Sequence, residues 1–322
     1  MKLGFGTWRF VLALLVAISH LWSGMIHGPA AYAVWGFFVL SGYLMTYVLS
    51  NKYGVDQAGL KDFAFNRFLR IFPLYWIACI LGAISLFFLP KLGITPSSLN
   101  PQFLPPQSDG DWFNNLTLLP IVGGQGLFVP VSGALAVEVA AYILMPIMAF
   151  SRQASWLGLI LSLTLNLRYG LQIESFGVRY SSFLTCFAAF AVGTLVCHYK
   201  NPLEKISAPV ISVLVWAAHC LIWIRYDQWP WTYGLYVSVL LSAWVVLSLS
   251  KLETSPLDNI LGDLSYPLYL FHTTVAVWVL TLPIASRSFG FFLLSFFLTL
   301  VLSWVLIIAV DRPVHKLKKK KA

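Results

Sequence analysis

The chain has little charge and least of all acid: 12 Asp and Glu stand among 322 residues, and charged side chains together make up 10%, where soluble domains hold roughly 25%. That scarcity excludes a soluble enzyme, and with 59% hydrophobic residues it excludes a disordered chain as well. Cysteine is sparse too. Cys79, Cys186, Cys197 and Cys220 lie in or at the edge of apolar runs with no pair at metal-ligand spacing, so neither a disulfide nor a bound metal is expected. No internal period of about 20–50 residues recurs. Neither end has the composition of a further soluble domain, which leaves residues 1–322 to be read as a single unit.

What the chain does hold is apolar and aromatic: 24 Phe, 14 Tyr and 13 Trp, with a mean hydropathy of +0.78. A water-soluble fold of this size lacks the interior to hide such a surface, so the solvent is lipid. Apolar stretches near 8–26, 31–50, 71–90, 131–150, 154–170, 181–198, 207–224, 233–250, 264–283 and 289–310 reach the length of about 17–25 residues that a helix needs to cross a bilayer core. The expected fold class is an all-α polytopic membrane protein of about ten transmembrane helices. Lys and Arg number 21, for a net charge of +9. With the N-terminus inside, only Lys91, Arg168, Arg179, Arg225 and Arg287 fall outside, and the rest gather within, from Lys2 and Arg9 to a basic tail at 311–322. Both termini are thereby expected in the cytoplasm, and the basicity gives no sign of a nucleic-acid partner.

The first span imitates a secretory leader through Lys2, its apolar run and Ala31-Tyr32-Ala33. It reads as retained, because Arg9 and His20 interrupt it and a second span abuts the apparent cleavage site. The one long loop, 91–130, is expected on the outer side, with Pro96, Pro101, Pro105, Pro106, Pro120 and Pro130. Its 111–119 portion, with Trp112 and Phe113 beside Leu116, suits a short interfacial helix. Asn115-Leu116-Thr117 matches a glycosylation sequon, a weak signal.

Deep inside the spans stand one formal charge, Glu138, and three histidines, His20, His219 and His272. Intramembrane ionisable groups are costly and point to function by default. At 1.5 Å per residue, His20, His272 and Glu138 come out at similar depth, about 10–16 Å from a membrane face. Arg9 and His20, eleven residues apart, share a helical face. Arg67 and Arg70, three apart, share one at the inner end of the third span, where two planar guanidinium forks suit a phosphorylated ligand. Plainer roles compete. The arginines serve equally as positive-inside anchors, His219 as a packed histidine, His272 as a structural one, and His20 with Glu138 as a structural hydrogen-bonded pair.

Taken together, Arg9-x10-His20, GFFVLSGYLM at 36–45, Arg67-x2-Arg70 before FPLYW, LAVE at 135–138 followed by Tyr142, LGDLSYPLYLFH at 261–272 and Asp311-Arg312-Pro313 resemble the membrane-bound acyltransferase-3 family. These are the O-acetylases of bacterial surface glycans, O-antigen and Nod factors, and the likeness covers essentially the whole chain. The resemblance implies a multi-pass protein of the bacterial inner membrane that passes an acyl group, usually acetyl from acetyl-CoA, to a hydroxyl of a glycan or lipid-linked saccharide. It maps the family's essential arginine and histidine onto Arg9 and His20, its arginine pair onto Arg67 and Arg70, and its carboxylate onto Glu138. Ser41, Tyr269 and His272 fall in motifs expected to line the site. The chain departs from the family pattern at Gly133 and Ala134, where Trp-Ser is usual, at Val139, where an acid is usual, and at Trp35, where a charge is usual. These departures bear on the acceptor side more than on the donor side.

In the mechanism so implied, acyl-CoA enters from the cytoplasm with its phosphates near Arg67, Arg70 and Arg9. His20 takes the acceptor hydroxyl's proton, or is itself acylated, and Glu138 orients His20. Acyl-CoA is the only co-substrate expected, with no metal. Two rival functions stay open: a proton-coupled carrier, although the internal repeats such carriers show are not evident, and a catalytically silent scaffold of the same fold.

Overall fold

The computed structural model describes residues 4–26, 28–119 and 126–318. Lys2, Pro120 and the end of the basic tail from Lys319 lie outside them. Among the described residues there is no strand, and the helices are α1 (Phe5–Leu21), α2 (Ala30–Val48), α3 (Gln57–Phe88), α4 (Asp109–Thr117), α5 (Ser132–Phe150), α6 (Arg152–Tyr169), α7 (Phe176–Ser181), α8 (Phe183–His198), α9 (Lys200–Leu203), α10 (Pro209–Cys220), α11 (Tyr233–Leu249), α12 (Pro256–Val279), α13 (Phe289–Leu306) and α14 (Arg312–Lys316). A helix thus stands at every apolar segment of the sequence. By length and composition, four are able to cross a membrane: Ala30–Tyr53, Gln57–Leu92, Ser132–Phe150 and Phe289–His315. The number rises to six if the bent pairs at 173–198 and 200–224 each count as one span, while α1 and α11 are shorter apolar helices.

Local chemistry sets the helix ends. Asp56, Ser151, Ser255 and Ser288 each accept a backbone N–H of the helix they open, satisfying a donor that has no partner within the helix. Pro256 follows Ser255 at the first helical position, where its missing N–H costs nothing. The final span continues through a π-helical turn, Ile307–Asp311, before α14.

Side-chain contacts fix the helix directions. Phe5 meets Tyr43 and Leu12 meets Gly36, so α1 and α2 are antiparallel. Tyr266 donates to Ile71 O and Trp278 to Ser85 Oγ, so α3 and α12 are parallel. Phe38 stacks on Phe190 while Thr46 bonds Thr194, so α2 and α8 run together. They approach closely because Gly42 and Gly193 present no Cβ, which would fall 2.1 Å from Phe190 O and 1.9 Å from Val39 O respectively. Close backbone approach through small residues is the packing that lipid favours. Outward from the core, Leu157, Ile160, Leu161 and Leu167 of α6 are exposed, an apolar surface that fits contact with lipid.

The described part of the loop after α3 is organised. Trp112 and Phe113 of α4 are exposed, as an interfacial helix requires, but Asn115 is fully buried. Its amide nitrogen donates to Asp111 O and Gly126 O, and its Oδ1 accepts Phe128 N–H. The sequon is therefore a structural lock: its nitrogen is committed and inaccessible, and the glycosylation match is discarded.

Candidate active site

The site begins with the register of α1 against α12. Asp258, buried in the first turn of α12, accepts from Thr7 N and Thr7 Oγ1 at 2.7 Å each and from Gly6 N at 3.1 Å. One carboxylate thereby satisfies two of the free N–H groups that open α1, where the helix dipole favours negative charge. Gly6 permits the contact, since a Cβ there would lie 1.8 Å from Asp258 O, and a Cβ on Gly262 would lie 2.9 Å from Gly6 Cα. The helices leave this crossing in parallel, and His20 and His272 meet farther along them.

Near the start of α1 a cavity of about 110 Å³ is lined by Arg9, Ser41, Arg67, Arg70, Glu138, Tyr142, Ser265, Tyr266 and Tyr269, among others. Sequence spacing places Arg67 with Arg70; the fold brings Arg9, Ser41, Glu138 and Tyr269 to them. Glu138 Oε1 accepts from Ser41 Oγ at 2.7 Å and Tyr142 OH at 2.6 Å. Arg70 Nη1 lies 3.9 Å from Asp311 Oδ2, too far for a hydrogen bond. Arg67 Nε is buried with no hydrogen-bond partner. Three guanidinium groups against one lining carboxylate, with an orphaned N–H among them, make a cavity suited to an anion.

The histidines form a second centre. His20 Nδ1 and His272 Nε2 are 2.9 Å apart, and His272 Nδ1 lies 2.7 Å from Tyr269 O. A carbonyl only accepts, so His272 carries its proton on Nδ1. With both rings neutral, His272 Nε2 is then an acceptor, His20 Nδ1–H donates to it, and His20 Nε2 keeps a lone pair. Tyr269 joins the two centres: it lines the cavity, and its ring lies edge-on to His272 with centroids 6.3 Å apart.

The expected pairing of Glu138 with His20 is not formed. Glu138 points into the arginine cavity toward Ser41 and Tyr142, whereas the partner of His20 is His272. The two are not at one depth: Glu138 bonds Ser41 and lines the cavity with Arg9, eleven residues and so about 16 Å along α1 from His20, because a depth counted in residues starts from span ends that the sequence does not fix. His219 proves to be a packed histidine, stacked on Tyr32 and bonded through Nε2 to Gly234 O at 3.0 Å.

Other residues emerge only in three dimensions. Arg179, placed by charge counting in an outer loop, is 0% exposed. Its guanidinium donates to Gln172 O, Trp231 O, Tyr236 OH and Ser175 Oγ, pinning α7 to the turn before α11. Arg287 has a left-handed backbone, φ 56°, uncommon outside glycine. Its side chain donates to the carbonyls of His20 and Leu99, fastening the loops that hold Leu99 and Arg287 over the end of α1. At Gly133 a Cβ would meet nothing within 4 Å, so packing does not impose that departure from the family pattern.

Residues 3–308 match the family described as an acyltransferase domain, nearly the whole chain. No curated protein and no solved structure gives a match.

Proposed function

The chain belongs to the acyltransferase-3 family, and from that premise we propose that it transfers an acyl group, acetyl in the first instance, from acyl-CoA to a hydroxyl of a glycan or lipid-linked saccharide. The observation that carries this reading is the spacing of its two centres. The arginine cavity and the His20–His272 pair lie along one line of α1, with Arg9 and His20 eleven residues and so about 16 Å apart. A donor with phosphates at one end, a thioester at the other and a long pantetheine arm between suits such a separation.

In the reaction so proposed, Arg9, Arg67 and Arg70 hold the phosphates. His20 Nε2 takes the proton of the acceptor hydroxyl as its oxygen attacks the thioester carbonyl; the carbon–sulfur bond breaks, and the imidazolium returns the proton to the leaving sulfur. His272 holds His20 in the tautomer this step needs. Glu138 orders Ser41 and Tyr142 within the cavity and limits its positive charge. The proposal includes a thread of ten helices with both ends in the cytoplasm, in the inner membrane of a bacterium. The directions of α1, α2, α3, α8 and α12, which fit such a thread, and the clustering of Lys and Arg support it.

The test is to incubate the purified protein with acetyl-CoA and to compare, by mass spectrometry, surface glycans and lipids from cells with and without the gene. Saturable acetyl-CoA binding, and glycans or lipids that lose an acetyl mass in the cells without the gene, are expected. A carrier neither binds nor consumes acetyl-CoA, and a silent scaffold binds it without turnover; either result overturns the proposal.

A further inference from the structure

The C-terminal end of the last span takes no part in the proposed reaction, yet it reaches the arginines. The π-helical turn Ile307–Asp311 swings Asp311 to within 3.9 Å of Arg70. Beyond α14 the chain turns again, with Leu317 N–H donating to Val314 O and Lys318 N–H to His315 O. This leaves Lys318 partly buried and within electrostatic reach of Arg70, Asp311, Arg67 and Asp263. We propose that Lys318, together with Arg67 and Arg70, forms a phosphate subsite at the inner mouth of the cavity, and that this subsite takes the 3′-phosphate of the donor's adenosine. The inference rests on the acyl-CoA reading above.

Two observations support it beyond the clustering. Arg67 Nε is buried without a hydrogen-bond partner, and Arg70 meets Asp311 only at a distance that leaves its donor fork available to a closer oxygen. Burial, and then the neighbouring Arg70 and Arg67, pull the Lys318 ammonium down to about 8. Asp311 and Asp263 oppose that effect without cancelling it. A phosphate placed among these cations relieves their repulsion and restores the charge on Lys318.

The test measures binding of adenosine 3′,5′-bisphosphate, acetyl-CoA and 3′-dephospho-acetyl-CoA to the full chain in detergent, for the parent, Lys318→Gln and Lys318→Arg. The parent is expected to prefer acetyl-CoA to its dephospho form. Lys318→Gln is expected to weaken both 3′-phosphorylated ligands about fivefold to tenfold and to leave the dephospho form unchanged, whereas Lys318→Arg restores affinity. Binding of the bisphosphate should also weaken as pH rises through about 8 in the parent and not in Lys318→Arg. If acetyl-CoA binds and Lys318→Gln changes nothing, or weakens all three ligands alike, the subsite is wrong and the acyl-CoA reading stands. If the bisphosphate binds through Lys318 while acetyl-CoA binds no better, the subsite stands and the acyl-CoA reading falls. If neither binds, both fall.

Discussion

The arginine cavity and the histidine pair, joined through Tyr269, are built in opposite ways. In the cavity the cations are loosely engaged: Arg67 Nε has no partner and Arg70 meets Asp311 at 3.9 Å. At the pair every link is short, 2.9 Å between the rings and 2.7 Å to the Tyr269 carbonyl, and Arg287 is fastened to the carbonyl of His20. A region with donors in reserve suits a ligand that comes and goes, whereas a region with its donors committed holds one group in one state. In the proposed reaction the first region binds and the second does the chemistry, and each role fails in its own way.

The sharpest division comes from His20→Ala. Transfer should fall by roughly 10²–10⁴-fold, the usual contribution of a positioned base, while acetyl-CoA affinity in the cavity stays near that of the parent. Comparable losses in both quantities would mean that the two regions are not separate. His272→Phe comes next. It keeps a ring but removes the acceptor for His20 Nδ1–H, freeing the tautomer, and turnover should drop on the order of 100-fold with donor affinity intact. A variant that turns over like the parent would reduce His272 to packing.

Asp258→Ala tests what aligns the regions. The carboxylate accepts from Gly6 N, Thr7 N and Thr7 Oγ1, and losing bonds to a buried charged group should destabilise the fold by about 2–3 kcal/mol. Thermal unfolding of the purified protein checks this. An unchanged midpoint would show that the Gly6–Gly262 contact alone sets the register.

Much of this architecture is legible in the sequence, because lipid makes apolar run length a direct signal of helix position. The shared face of Arg9 and His20 and that of Arg67 and Arg70 follow from helical geometry alone. What stays hidden depends on contacts distant in sequence. Thr7 and Asp258 are 251 residues apart, and no periodicity within either helix announces their meeting. Arg179 looks like a loop charge because half of its partners are backbone carbonyls, which no residue type reveals. The estimated depth pairs Glu138 with His20, but the fold sets it at the level of Arg9, where it accepts from Ser41 and Tyr142.

Glu138→Gln therefore has a smaller and different expected effect than a partner of the base would show. Gln keeps an oxygen to accept from Ser41 and Tyr142, so the cavity should hold its shape, and only a negative charge is lost from among three arginines. Affinity for acetyl-CoA should rise by about threefold, or ~0.65 kcal/mol, and the pH profile of turnover should stay in place. Displacement of that profile would return Glu138 to the histidines.

The smallest effect belongs to Gly133, next to the cavity-lining Ala134. Gly133 is the second residue of α5, and a Cβ there has open space around it. Gly133→Ala adds no clash and restricts the unfolded chain, so it should stabilise by about 0.4–1 kcal/mol, seen as a small rise in the unfolding midpoint. The effect of greater interest is on the acceptor side. If the space beside Gly133 admits the acceptor, a bulky Gly133→Trp should leave acetyl-CoA binding unchanged and lower transfer to the native glycan, while a stable Gly133→Trp protein with parental transfer would place the acceptor's path elsewhere. The histidine pair and the arginine cavity are both intact in that variant, so a loss confined to transfer locates the acceptor's approach without disturbing either centre.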